Sequence, residues 1–343
     1  MGGTRLATTV SFSEPGSGVS EDEEQAVIAT RELRRTFKSR RGAVEAVAGV
    51  TMEVRSGEIF GFLGPNGAGK TTTLRMLATL LPPTSGEARV AGCDLRRDPG
   101  GVRERIGYVG QMGGSDPEIT GRHELEFEAR LYGLGVREAA RRSAELVEAL
   151  ELEACADRKV KTYSGGQRRR LDMGLGLVHR PQLLFLDEPT TGLDPQSRAR
   201  MWVEVRKLRD SGTTVFLTTH YLEEADALCD RLAIIDHGQI VVEGTPDQLK
   251  RAVAGDVVTV GVAGAGQAVM DLVSRQPFVR EATLDGDVVR LYVERGETAA
   301  PDLLRLLDAA GLELTTLAMS RPSLDDVFLR QTGRSLRESE ANP

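Results

Sequence analysis

The sequence predicts an α/β architecture, a mostly parallel sheet covered by helices, followed by a small α+β unit. Three observations predict it. Short apolar runs bounded by Gly and Pro, among them Glu58 to Leu63, Glu87 to Ala91, Ile106 to Val109 and Leu183 to Leu186, read as strands, several of them buried on both faces. Amphipathic stretches separate them, and alternating strands and helices build a parallel sheet with helical cover. Beyond about residue 255 the order becomes strand, helix, strand, strand, helix, strand, the βαββαβ order of a ferredoxin-like unit.

Taken in order, residues 1–25 combine Gly, Ser and Thr with the acidic cluster Glu21, Asp22, Glu23 and Glu24, too few apolar groups to offset the entropy of ordering. They read as a flexible tail. Residues 26–250 form the larger unit, with an added helical section from about Pro99 to Arg180. Its clearest helix is Val136 to Leu152, where Ala140, Ala144, Leu146, Val147, Leu150 and Leu152 place apolar groups on one side. The stretch Asp247 to Gly255 reads as a boundary.

Residues 255–333 then read as an accessory unit: strand Val257 to Val262, helix Gln267 to Ser274, strands Phe278 to Leu284 and Val288 to Val293, helix Pro301 to Ala310 and strand Leu312 to Ala318. Asp285 and Gly286 suit a type I′ hairpin turn, in which both positions need positive φ. Pro301 suits a first helical turn and Gly311 a helix stop. A last helix, Leu324 to Gln331, has Ser323 as its expected N-cap and closes the small unit, and residues 334–343 form a tail.

Composition bounds the function. Of 343 residues, 40% are hydrophobic and 28% charged, ordinary for a globular protein. No window approaches the length of apolar chain needed to span a bilayer, and no secretion signal opens the sequence. Three separated cysteines, Cys93, Cys155 and Cys229, suggest neither a disulfide framework nor a zinc site and fit a reducing cytosol. A formal net charge of −7 argues against nucleic acid as a partner. The basic run Arg34, Arg35, Lys38, Arg40 and Arg41 reads as a solvated loop.

The chemistry begins at Gly64, Pro65, Asn66, Gly67, Ala68, Gly69, Lys70 and Thr71, a match to GxxxxGK[ST] between the strand ending at Leu63 and a helix opening at Thr72. Glycines let successive backbone N–H groups turn toward one centre and cradle phosphate at a helix N-terminus. Lys70 supplies charge to the β- and γ-phosphates, and the Thr71 hydroxyl can ligate Mg²⁺. This loop alone specifies a nucleoside triphosphate and is shared by kinases, GTPases and ATPases. The strand Leu183 to Leu186 ends in Asp187, placed to hold Mg²⁺, and Glu188, able to orient or deprotonate water.

Tyr163 to Gln167 reads YSGGQ just upstream of that strand, and the arrangement resembles the signature of ABC-family ATPases. Further elements follow the family's order: Gln111 matches the Q-loop glutamine that touches Mg²⁺ and water, Gly192, Leu193 and Asp194 the D-loop, His220 the switch histidine on the γ-phosphate, and Phe37 the aromatic that stacks on adenine. The resemblance implies ATP and Mg²⁺ as ligands. It also implies that Ser164, Gly165, Gly166 and Gln167 serve the nucleotide of an opposite subunit, so that a chain with one set works as a homodimer. Tyr163 departs from the commoner leucine, which touches local packing and leaves the donors intact.

Pro322 to Gly333 (PSLDDVFLRQTG) and Thr162 to Pro181 resemble daunorubicin-resistance-type ATPases. That likeness implies a separate multi-helix permease of the ABC-2 type, export of a hydrophobic compound, and a place on the cytoplasmic face of the cell membrane. Energising import, or export of lipid or polysaccharide, is the alternative within transport. Outside it, a translation-associated relative would carry two ATPase units, and a repair relative a long heptad insertion that the interval from Lys70 to Ser164 lacks.

Overall fold

The computed structural model describes residues 26–39, 42–253, 255–262, 265–312 and 314–333. The expected acidic tail with Glu21 to Glu24, the tail 334–343, and Arg40 and Arg41 of the basic run lie outside the described residues.

Two long strands, β1 (Ala26–Ser39) and β2 (Gly42–Arg55), pair antiparallel and lead into β3 (Ile59–Leu63). After a loop come α1 (Lys70–Leu77), β4 (Ser85–Val90), β5 (Cys93–Asp94), α2 (Pro99–Arg105) and β6 (Ile106–Val109). The helical section contributes α3 (Gly121–Leu131), α4 (Val136–Ala149) and α5 (Gly165–Leu177). Then follow β7 (Leu183–Asp187), α6 (Pro195–Asp210), β8 (Thr214–Thr219), α7 (Leu222–Leu228), β9 (Arg231–Asp236), β10 (Gln239–Gly244) and α8 (Pro246–Ala252).

The central sheet runs β10-β9-β3-β8-β7-β6, all neighbours parallel except the antiparallel β10 edge. Side chains alternate across it. Phe60, Phe62, Phe185 and Phe216 face one side, their rings 5.6 to 5.7 Å from that of Phe216, and pack with Val47, Val50, Leu74 and Leu77. Ile59, Leu63, Leu184, Leu186, Val215 and Leu217 face the other, beneath α5, α6 and α7. Burial on both faces explains the uninterrupted apolar runs. Glu87 to Ala91 is different: β4 joins a second, antiparallel sheet, β2-β1-β4-β5, and its burial alternates, because one of its faces meets water.

Helix α4 keeps its expected start and buries Leu146, Val147 and Leu150 as expected, but its inward face shifts by one residue in the first two turns. Ala139, Ser143, Leu146, Val147 and Leu150 are buried, while Ala140 and Ala144 are exposed. The Ser143 hydroxyl donates to the Arg122 carbonyl (3.2 Å), so a small polar residue takes the core position.

Beyond α8 the chain forms β11 (Asp256–Val262), α9 (Gly266–Val273), β12 (Val279–Asp285), β13 (Val288–Val293), α10 (Gly296–Ala309), β14 (Leu314–Ser320) and α11 (Leu324–Thr332). The sheet order β12-β13-β11-β14, with every neighbour antiparallel, is ferredoxin-like. The stretch Asp247 to Gly255 is helical at its start: Thr245 and Gln248 form a capping box for α8. The hairpin loop is Gly286 and Asp287 rather than Asp285 and Gly286, since Asp285 pairs with Val288; Gly286 has φ 58°. Helix α10 begins five residues before Pro301, which therefore sits inside it. The Asp256 carboxylate accepts the Gly296 amide (2.7 Å) and buried Ala299, Ala300, Leu303 and Leu307 hold the helix across the proline. Ser323 caps α11 as expected, but this helix does not merely close the small sheet. Leu324, Val327 and Phe328 join the core cluster of the nucleotide half with Leu249 and Val253.

Candidate active site

The phosphate loop bends between β3 and α1 through Gly67 (φ 80°) and Gly69 (φ 106°). A Cβ on Gly64 would stand 2.3 Å from the Ile235 carbonyl, and one on Gly69 2.5 Å from that of Ala46, so close packing alone demands glycine at both. Asn66 is exposed at the loop's crest, and Thr71 and Thr72 are half-buried in the first turn of α1. Buried Lys70 donates through Nζ to the carbonyls of Gly64 (2.7 Å) and Pro65 (3.1 Å) and lies 3.5 Å from Glu188 Oε1.

Parallel pairing of β3, β8 and β7 brings the strand ends carrying Lys70, His220 and Glu188 together. Asp187 is fully buried; its Oδ1 accepts from the Thr71 hydroxyl (2.9 Å) and the Thr218 hydroxyl (2.8 Å). Its Oδ2 has no hydrogen-bond partner among the described residues. An orphaned carboxylate oxygen beside the Thr71 hydroxyl fits Mg²⁺, which is held by one or two protein oxygens and completes its shell with phosphate and water. No larger gathering of His, Cys, Asp and Glu suited to a metal occurs among the described residues.

Glu188 has φ 47°, a conformation uncommon for a residue with a Cβ, held by bonds from its amide to the Thr218 hydroxyl (3.1 Å) and carbonyl (3.2 Å). Its Oε2 accepts from the Gln111 amide (3.1 Å) and the Thr191 hydroxyl (3.2 Å) and lies 3.3 Å from His220 Nδ1. Burial would raise its pKa, but the neighbouring His220 ring and the Lys70 charge outweigh that and hold it at about 2. Lys70, Thr71, Gln111, Asp187, Glu188 and His220 thus converge at one place.

The signature residues stand apart from this cluster. Ser164 caps α5, its hydroxyl accepting the Gln167 amide (3.3 Å) while the Gln167 side chain accepts the Ser164 amide (3.0 Å). Gly165 and Gly166 lie against Leu193 and Ser197, next to Asp194. Asp194 caps α6 and spends both oxygens on Ser197, at 2.9 and 2.6 Å. Phe37 is 40% exposed at the far end of the β1–β2 hairpin, opposite Val44 and so two residues from Ala46, which abuts the phosphate loop.

Sequence reading missed the residues that tie these pieces together. Arg169, buried, donates to the carbonyls of Pro189 (2.8 Å), Gly110 (2.6 Å) and Asp187 (3.1 Å), pinning the ends of β6 and β7. Asp172 accepts the amides of Gly114 (3.1 Å) and Ser115 (3.2 Å) and so holds the chain just after Gln111. The run Arg168, Arg169 and Arg170 beside the glycines was the visible signal, since a cation so near a tight turn suits orphan carbonyls.

A model of the ABC transporter family matches residues 47–191, and one described as the ATP-binding protein DrrA1-3-like C-terminal domain matches residues 244–332. The chain is 45% identical over 306 residues to the daunorubicin resistance ATP-binding protein DrrA3 of Streptomyces coeruleorubidus, covering 89% of this chain and 96% of that one. It is 43% identical over 317 residues to the doxorubicin resistance ATP-binding protein DrrA of Mycobacterium tuberculosis, with 91% and 95% covered. Among solved structures, a dimeric ATP-binding cassette in a post-hydrolysis state, bound to ADP and Pi, aligns with a TM-score of 0.59 at 25% identity, covering 64% of this chain and 98% of that one. Both halves of the sequence are therefore accounted for by one group of proteins, and the chain belongs to the ABC transporter family, among its daunorubicin- and doxorubicin-resistance-type ATP-binding subunits.

Proposed function

We propose that this chain, an ATPase that uses ATP with Mg²⁺, works as a homodimer on the cytoplasmic face of the membrane and powers export of a hydrophobic drug through a separate multi-helix permease of the ABC-2 type. The observation that carries the reading is the meeting of Lys70, Asp187, Glu188 and His220 at one phosphate loop, in a chain whose C-terminal part also matches the drug-resistance group. Residues 26–250 supply the ATPase unit and 255–333 an accessory unit. No helix of the described residues is long and apolar enough to cross a membrane, and the reading assigns the channel to a separate chain.

The chemistry follows from the side chains. Backbone N–H groups of Asn66 to Gly69 and the N-terminus of α1 bind the phosphates, with Lys70 on the β- and γ-groups. Thr71, Gln111 and the orphaned Asp187 oxygen would hold Mg²⁺, which would supply charge neutralisation at the phosphoryl oxygens. Glu188, ionised and aimed by Thr191 and Gln111, orients the attacking water, and His220 meets the γ-phosphate. Phe37 stacks on adenine. Ser164 to Gln167 and Asp194 close over the nucleotide of the partner, and closure moves α3 and the segment after Gln111 against the permease.

Glu188→Gln tests this directly. The variant should bind MgATP, accumulate as a dimer in sedimentation, and lose turnover by a factor of at least about 100. Turnover at the wild-type rate would reject the assignment of Glu188, and failure to capture a membrane protein from cells expressing the neighbouring gene would reject the permease.

A further inference from the structure

Arg35 lies two residues before Phe37 on β1, and the strand period puts both side chains on one face. Its guanidinium carbon sits 4.7 Å from the centre of the Phe37 ring. The same guanidinium donates through Nη1 to the Pro82 carbonyl (2.6 Å), in the turn that ends the phosphate-loop helix, and its Nε is buried with no hydrogen-bond partner among the described residues. A second link joins the strand to that turn: the Thr36 amide donates to the Thr84 hydroxyl (3.0 Å) and the Thr84 amide to the Arg34 carbonyl (2.8 Å). Leaving a buried N–H unpaired is costly. The ring it covers is what the guanidinium gains in exchange.

We propose that Arg35 is a positioning residue for the base: it backs one face of Phe37, leaves the exposed remainder of the ring to adenine, and ties that platform to the turn after α1. Base and triphosphate are then gripped by one frame. Its two members are the Ala46 carbonyl against Gly69 and the Arg35 bridge from Phe37 to Pro82. A ring fixed before the nucleotide arrives loses less freedom on binding. The inference rests on Phe37 as the adenine platform, and the measurements separate the two ideas.

Calorimetric titration of the full chain in the Glu188→Gln background compares MgATP with inorganic tripolyphosphate, which has no base. Arg35→Ala should weaken MgATP by about 3- to 10-fold, with tripolyphosphate changed less than about 2-fold. Arg35→Gln, which keeps the stem and a donor for the Pro82 carbonyl, should fold like the parent and show most of the same loss. Arg35→Ala added to Phe37→Ala should cost nothing more. Equal weakening of both ligands would make Arg35 a charge on the phosphates and overturn the proposal. Weakening by Phe37→Ala without any by Arg35→Ala would overturn it while leaving the platform standing; no effect of Phe37→Ala would remove the platform, and the proposal with it.

Discussion

Two buried carboxylates are pushed in opposite directions by their surroundings. Glu188 is kept ionised by His220 and Lys70 despite its burial. Glu124, on α3, is raised to about 7, first by burial and then by Asp172, Asp116 and Glu128, even though the Asp116 amide donates to its Oε1 (2.6 Å). Its other oxygen has no partner among the described residues. Between pH 4.5 and 7 the folded chain thus holds a proton that the unfolded chain, with its ordinary value of 4.5, has lost, so Glu124 reduces stability progressively as pH rises through that window and levels off above it. Glu124→Gln should therefore gain in Tm relative to the parent between pH 5 and pH 8, read by calorimetry at both values. A difference independent of pH would show that Glu124 does not titrate there. Lys70 and Thr71 are legible in sequence because backbone-cradle chemistry fixes their spacing, and Asp187 and Glu188 because they end the apolar run Leu183 to Leu186. Thr218 and Arg169 are not, since their partners come from strands that meet only in space.

At the scale of elements, periodicity located β3, β4, β6, β7, α4 and the elements of the small unit, and missed details decided by neighbours. Ala139 and Ala140 offer the same methyl, so α4 could not be phased until Ser143 found the Arg122 carbonyl. Pro301 marks a helix start only where the preceding turn has nothing to bury, and here Ala299 and Ala300 do. The antiparallel sheet of β1, β2, β4 and β5 also escaped notice, because its strands alternate with water instead of running apolar. Helix α11 is the larger surprise. Phe328 is fully buried in the nucleotide half, Arg330 donates to the Ala252 carbonyl (2.9 Å) and pairs with Glu281 on β12 (3.0 Å), and Arg290 on β13 pairs with Asp325 (3.1 Å). One helix thus holds both sheets. Phe328→Ala should cost about 3–5 kcal/mol in urea unfolding and open the chain near residue 254 to protease. Leu304→Ala, on a side chain 41% exposed, should stay within about 0.5 kcal/mol. Equal effects would mean that α11 holds nothing together.

For the whole molecule, Ser164 and Gln167 hydrogen-bond to each other, and on the proposed homodimer each site is completed by two chains. Lys70→Ala and Ser164→Ala protomers should each be inactive alone. Mixed, they form heterodimers with one intact site, and random exchange should restore roughly a quarter of the wild-type phosphate release. A mixture as silent as its parts would place the whole site within one chain. That two-chain geometry was legible only through family likeness, because nothing in a single sequence says which surface meets which.

The Lys70 ammonium, bonded to its own loop and resting beside Glu188, has a further consequence. On the proposed assignment, an arriving γ-phosphate draws that cation off the carboxylate, so filling the pocket and arming the water happen in one stroke. A diphosphate offers Lys70 its β-group alone and brings no phosphorus for the freed carboxylate's water to attack, so the spent nucleotide can depart without a second round of chemistry being attempted on it.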